Sequence, residues 1–130
     1  MIVLDASVVL ETLLRTPAGE AVQRRMFAPG ETLHAPHILD VEVAQVLRRI
    51  AGNRDMDEQR GREAISDLAA LPIRRYAHDF LLPRIWQLRH NFSAYDGAYV
   101  ALAEVLEATL LTRDRRLASA AGRYASVEVV

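Results

Sequence analysis

The feature that most constrains this chain is a set of short apolar runs with no polar alternation, two of them ended by acids. Ile2-Val3-Leu4 stops at Asp5, and Leu110-Leu111 stops at Thr112 and then Asp114. A strand with one wet face alternates apolar and polar residues, whereas a strand covered on both faces does not. Segments of helical periodicity separate the runs. Strands alternating with helices imply a parallel, doubly wound α/β sheet. We expect a single domain over residues 1–130, with about five short, twisted parallel strands flanked by helices.

The expected elements follow from periodicity and punctuation. Residues 2–5 read as a buried strand. A short helix from about Ser7 to Leu14 ends near Thr16-Pro17, and a second runs from about Ala18 to Met26. Pro29-Gly30 turns the chain into a strand over Thr32–Ala35. A helix over His37–Ala51 follows Pro36 and is stopped by Gly52-Asn53. A charged helix over 57–70, a strand over Ile73–Tyr76 and a helix over 79–90 come next, with Pro83 tolerated in the first turn. The chain closes with a helix over 94–107, a strand over 109–112, a helix over 115–121 and a strand over Ser126–Val129.

In open α/β sheets, ligands bind beyond the carboxyl ends of the strands, where the strand order switches. Asp5 and Asp114 each follow a strand and point to that edge. Each also reads as a helix N-cap, a role Ser7 or Thr112 can share. Asp96 lies in the first turn of its helix, three residues after Ser93, the spacing of a capping box. Glu42 is harder to explain as surface. On a wheel of about 100° per residue with Ile38 at zero, it falls at about 40°, beside Val46 at about 80° and Leu39 at about 100°. Arg49, at about 20°, is the structural partner that would neutralise it. Together the four carboxylates are costly to bury unless something positive joins them. Mg²⁺ or Mn²⁺ suits that need, since both prefer carboxylate oxygens.

Composition removes several alternatives. There is no cysteine, so disulfides, zinc thiolates and thiol nucleophiles are excluded. All 16 basic residues are arginine, which leaves no lysine nucleophile or Schiff base. Net charge is −1, and one bound divalent ion would take it to +1, two to +3. The apolar N-terminus lacks a basic lead and is interrupted by Asp5 and Glu11, a poor secretory signal. No run approaches the roughly 20 apolar residues of a membrane span. We therefore expect a cytoplasmic protein with no membrane contact. The histidines, His34, His37, His78 and His90, show no ligand spacing, and Tyr95 and Tyr99, one turn apart, read as packing.

The residues then resemble a known family. Ile2-Val3-Leu4-Asp5-Ala6-Ser7 is similar to the strand-Asp-x-Ser opening of PIN-domain ribonucleases, specifically the VapC toxins of bacterial toxin–antitoxin pairs. Pro36 to Arg49, PHILDVEVAQVLRR, resembles the segment carrying the family's second acid, here Glu42. Tyr95 to Leu117, YDGAYVALAEVLEATLLTRDRRL, is the most specific match, with the third acid at Asp96 and a Thr-x-Asp signature at Thr112 and Asp114. Gly52 to Arg75 matches only as a generic helix. The resemblance implies a PIN-like fold and endonucleolytic cleavage of transfer, ribosomal or messenger RNA with Mg²⁺ or Mn²⁺. It implies Asp5, Asp96 and Asp114 as metal ligands, and Glu42 on a second ion or on the attacking water. Ser7 and Thr112 would hold the carboxylates from behind. Arg113, Arg115 and Arg116 are the candidate RNA contacts. The implied partner is a cognate VapB-like antitoxin, its C-terminal segment in a groove on the toxin; Val8, Val9, Leu13 and Leu14 are placed either in that groove or in the core. A homodimer is implied, and with the antitoxin a heterotetramer or larger assembly.

Three other readings compete. A response-regulator receiver needs a lysine near its acids, and the chain has none. A binding module would keep the fold and use the acids structurally. A PIN nuclease of RNA processing would keep the chemistry but not the toxin role.

Overall fold

In the computed structural model, which describes residues 1–130, five parallel strands form one sheet. They are β1 (Ile2–Leu4), β2 (Leu33–Pro36), β3 (Ile73–Tyr76), β4 (Thr109–Thr112) and β5 (Val127–Val129), in the order β3-β2-β1-β4-β5. The helices are α1 (Ala6–Leu13), α2 (Gly19–Met26), α3 (Ile38–Gly52), α4 (Glu58–Ala70), α5 (Leu82–Gln87), α6 (Ala94–Leu106) and α7 (Arg115–Ala121). The chain winds from β1 outward to β3, then returns through α6 to the other side of β1. The order therefore reverses between β1 and β4, and the crevice at a switch in strand order lies there.

Apolar runs make the central strands what they are. Ile2, Val3 and Leu4 are fully buried, each contributing roughly 1.5–3 kcal/mol of transfer free energy. Leu4 pairs with Leu111 across β1 and β4, so the residues after these strands emerge side by side. Helix α6 is buried continuously from Gly97 to Ala103 and packs on β1, β2 and β4. An unbroken small and apolar stretch allows that close fit. Helices α1 and α2 cross tightly at Gly19, where a Cβ would meet the Glu11 carbonyl oxygen at 2.6 Å. No helix is long and apolar enough to cross a membrane.

Most expected elements are present with ends shifted by a residue or so. The expected helix over 79–90 is instead a 3₁₀ turn (Asp79–Leu81) and the short α5, ended before Leu88. Pro83 does sit in the first turn of α5, where its missing N–H costs nothing. Of the two places the sequence leaves open for them, Val8 and Val9 take the core, because α1 lays that face on the sheet, while Leu13 is buried but also lines a cleft between α1, α2 and α4. His34 is buried in β2, its ring held between Thr32 Oγ1 and the Tyr76 hydroxyl, each at 2.8 Å.

Candidate active site

Asp5 caps α1 from the end of β1, in extended backbone geometry. Its Oδ1 accepts from the Ser7 hydroxyl at 2.6 Å and from the Val8 N–H at 3.1 Å. Its Oδ2 accepts from the Thr112 hydroxyl. Thr112 Oγ1 in turn accepts from the Asp114 N–H at 2.9 Å, and Ser7 Oγ accepts from the Arg113 N–H at 2.9 Å. Two short relays thus tie the ends of β1 and β4 together through Asp5. The Thr-x-Asp spacing explains why: the threonine closes the strand, and the next two residues bend back over its hydroxyl.

Asp114 caps α7, with Oδ1 accepting from the Arg116 and Leu117 N–H groups at 2.8 and 3.1 Å. Its other oxygen is free for a ligand. Ser93 caps α6 by accepting from the Asp96 N–H at 3.1 Å, which leaves the Asp96 carboxylate uncommitted. Glu42 lies half-buried on the inner side of α3, with Oε1 buried and unpartnered.

These four acids feel one another. Burial raises the Asp96 carboxyl above its usual range, and the negative charges of Asp114 and Asp5 raise it further. Glu42 is raised by burial and by Asp96 and Asp5. Asp5 is also raised, because burial outweighs the bonds from Ser7, Thr112 and Val8. No arginine forms an ion pair with any of the four. The alternative structural reading of Glu42, a pair with Arg49, is absent, and Arg49 is exposed. The carboxylates are neighbours rather than a closed shell, since no three of them surround one point as a ready ligand set. Like charges with no protein cation between them have no reason to close further.

Tyr99 is the residue that periodicity missed. Its ring is buried among the core of α6, and its hydroxyl lies against Glu42 without completing a bond of ordinary geometry. Burial and the charges of Glu42, Asp5 and Asp96 push that hydroxyl far above its usual range, so it stays protonated. Its position three residues after Asp96 was a signal, because residues three apart share a helix face.

The arginines divide. Arg113 is engaged, its Nε 3.5 Å from Glu11 and its Nη1 donating to the Val130 carbonyl. Arg115 and Arg116 are exposed, make no ion pair and line a cavity on α7.

The PIN domain family model matches residues 2–123. The chain is 44% identical over 130 residues to Ribonuclease VapC12 of Mycobacterium tuberculosis, spanning 100% of this chain and 99% of that protein. PAE2754 from Pyrobaculum aerophilum superposes with a TM-score of 0.74 at 17% identity, over 97% of this chain and 87% of that one. VapBC2 from Rickettsia felis, solved bound to a DNA fragment from their promoter, gives a TM-score of 0.70 at 14% identity, over 99% and 98% of the two chains. At such identities the structural likeness speaks for the fold alone. The family match and the full-length similarity establish that this chain belongs to the PIN-domain family, on its VapC branch.

Proposed function

We propose that this protein is a metal-dependent endoribonuclease, the toxin of a cytoplasmic toxin–antitoxin pair. The observation that carries the reading is the group of Asp5, Glu42 and Asp96, each raised by burial, beside Asp114 at the strand-order switch of a PIN fold, with no arginine to neutralise any of the four. VapC12 is named a ribonuclease, which supports RNA as the substrate class.

The residues fit a hard divalent cation. The donors are all carboxylate oxygens, and the buried, unpartnered Glu42 Oε1 is an acceptor in want of a positive partner. Asp5 and Asp96 are the principal ligands, direct or through water, and Asp114 contributes its free oxygen. Bound Mg²⁺ or Mn²⁺ supplies Lewis acidity at a scissile phosphate and eases the deprotonation of water. The rest belongs to the chain. Ser7 and Thr112 fix the Asp5 carboxylate in one orientation. Glu42 Oε1 binds a second ion or takes the proton from the attacking water, and its raised affinity for a proton suits the latter task. Tyr99 keeps a protonated hydroxyl beside it, limiting the positions Glu42 can adopt.

The antitoxin is a VapB-like protein, supported by the likeness to VapBC2, a toxin–antitoxin complex by its name. With Val8 and Val9 in the core, what remains open at the N-terminal helices is a cleft of about 370 Å³ between α1, α2 and α4, lined in part by Leu13 and with Phe27 exposed at its edge. Exposed Phe80, Leu82, Trp86 and Tyr95 supply apolar surface for a second copy of the chain.

The test is incubation of antitoxin-free protein with total bacterial RNA, with Mn²⁺, with EDTA, and with Asp96→Asn. Discrete cuts that vanish with EDTA and in the variant are expected. Cutting that survives both would exclude the acids from the chemistry.

A further inference from the structure

Sixteen arginines are scattered over this chain, yet three that lack acidic partners converge on one cavity. It measures about 560 Å³ and is lined by Arg115, Arg116, Ser119, Arg123, Asn91 and Tyr124 among others, with no carboxylate in its wall. Other arginines without an acidic partner, such as Arg15 and Arg48, each enter a cavity wall that also carries a carboxylate, Asp67 or Glu58. Arg84, immediately beside this cavity's Tyr124, is locked to Glu104 by two bonds of 2.8 Å. Arg25, Arg75 and Arg113 each hold an acid as well. Three unpaired guanidiniums in one concavity repel one another, and the fold gives them nothing to offset that.

The wall is also anchored. Tyr124 packs edge-on against Phe92, with the Arg84 guanidinium 5.7 Å from its ring centre. The Asn91 amide donates to the Tyr124 hydroxyl at 3.0 Å, which leaves its carbonyl side and the Ser119 hydroxyl open. The polar groups are therefore presented on a rigid floor, while the guanidiniums are free to move onto a ligand.

Placement completes the argument. Arg115 and Arg116 follow directly on Asp114, whose carboxylate accepts from the Arg116 N–H. From Arg115 to Ala121 the helix advances roughly 9 Å, so the cavity extends away from the acids along α7. A chain of phosphodiesters passing the carboxylates would meet these arginines next. Guanidinium forks match phosphate oxygens, and unlike base-edge contacts they do so for any sequence.

We propose that this cavity binds the phosphodiester backbone of the RNA strand beside the cleaved bond. The proposal rests on the endoribonuclease reading, and it deepens that reading by assigning the subsite that grips the substrate. The cavity contributes affinity and register, and leaves base selection to other contacts. It also accounts for how a protein of net charge −1 holds a polyanion next to four acids: the attraction is local.

The test is fluorescence anisotropy with labelled single-stranded RNA oligonucleotides of unrelated sequence, in EDTA so that binding is read without cleavage. Wild type is compared with R115A/R116A/R123A and with R15A/R49A/R54A, which removes the same charge from exposed positions elsewhere. We expect the cavity variant to lose roughly tenfold or more in affinity for every sequence. Its log–log salt slope should fall by about 2, from about 0.7 per lost phosphate contact on a single strand. The control should lose little, and both variants should melt like wild type. Equal losses in the two variants would overturn the proposal by reducing it to net charge. Equal affinity of the cavity for a polyglutamate of matched charge would overturn it in favour of an acidic protein partner. An unaffected cavity variant whose wild type cuts RNA removes the subsite and leaves the nuclease standing. A wild type that binds no RNA in EDTA removes the subsite, and one that also cuts none with Mn²⁺ removes the nuclease reading as well.

Discussion

The two ends of the sheet carry similar charges wired in opposite ways. At the amino end, the Met1 ammonium meets Glu31 at 3.1 Å, and Arg25 bonds Glu31 as well. That acid is paired, and it is held below its ordinary range by Arg25. At the carboxyl end, Asp5, Glu42 and Asp96 are all raised, and no arginine pairs with them. Salt bridges were available to the fold, since it builds them at the amino end and even beside the site, between Arg113 and Glu11 and between Arg75 and Asp40, yet none reaches the four acids. The difference teaches that the carboxyl end is arranged against its own stability. A group of acids kept in that state has its free energy lowered by anything cationic that enters.

The largest effect expected is on cleavage. Asp96→Asn should reduce RNA cutting by roughly a hundredfold or more, the scale of losing a metal ligand. Because the Asp96 carboxylate has only burial and like charges around it, its melting temperature at pH 7 should hold or rise. A fall of several degrees would mean that Asp96 is structural. Asp5 is the contrasting case within the same site. Asp5→Ala should abolish cleavage and also cost about 1–3 kcal/mol, because Val8 N–H, Ser7 and Thr112 lose their acceptor and α1 its cap. Urea unfolding separates the two variants, and equal stability would show that the cap does not hold α1.

The two ends should also titrate in opposite senses. Raised carboxyls bind more protons folded than unfolded. In EDTA, their term therefore favours folding at low pH and is progressively lost as pH rises from the ordinary carboxylate range, near 4, through the raised values. Glu31, with its lowered carboxyl, contributes stability above that ordinary range and loses it as pH falls through its folded value. A chemical-denaturation series in EDTA should show the contribution of the raised carboxyls declining as pH rises above the ordinary carboxylate range, and a flatter decline in Asp96→Asn. An identical slope in the variant would uncouple Asp96 from the effect.

Smaller effects belong to the paired end and to the tyrosine. Arg25→Ala should cost about 1 kcal/mol, since its partners are partly solvent-screened, and should leave cleavage unchanged. Loss of cleavage there would mean that the two ends are coupled through the sheet. Tyr99→Phe should change stability by less than about 1 kcal/mol, because the hydroxyl removed had no good partner. Its readout is Mn²⁺ affinity by calorimetry, which should change while the fold does not. An unchanged affinity would assign Tyr99 to packing alone.

Much of this was legible in the sequence because strands and acids are local statements. An apolar run of three residues followed by Asp says both where a strand ends and which way its carboxylate emerges. The wheel put Glu42 on the inner side of α3, and that holds. Its neighbour was not legible: Arg49 looked right on the same helix, whereas the group facing Glu42 is Tyr99, delivered by α6 from 57 residues away. Arg123 lies in the turn after α7 and was invisible for the same reason, since a cavity joins residues by tertiary packing rather than by spacing. Helix 79–90 failed on a local count: six residues of α5 were enough to bury Ile85, and the Leu88 N–H is shared between an α-type bond to the Arg84 carbonyl and a 3₁₀-like bond to that of Ile85.

The account stands or falls on whether the unpaired end takes up a cation. Isothermal titration of Mn²⁺ into wild-type protein at pH 7 should give saturable binding, abolished in Asp5→Asn and Asp96→Asn and unchanged in Arg25→Ala. Binding that is absent in folded wild type, or that persists through both acid-to-amide changes, would contradict it.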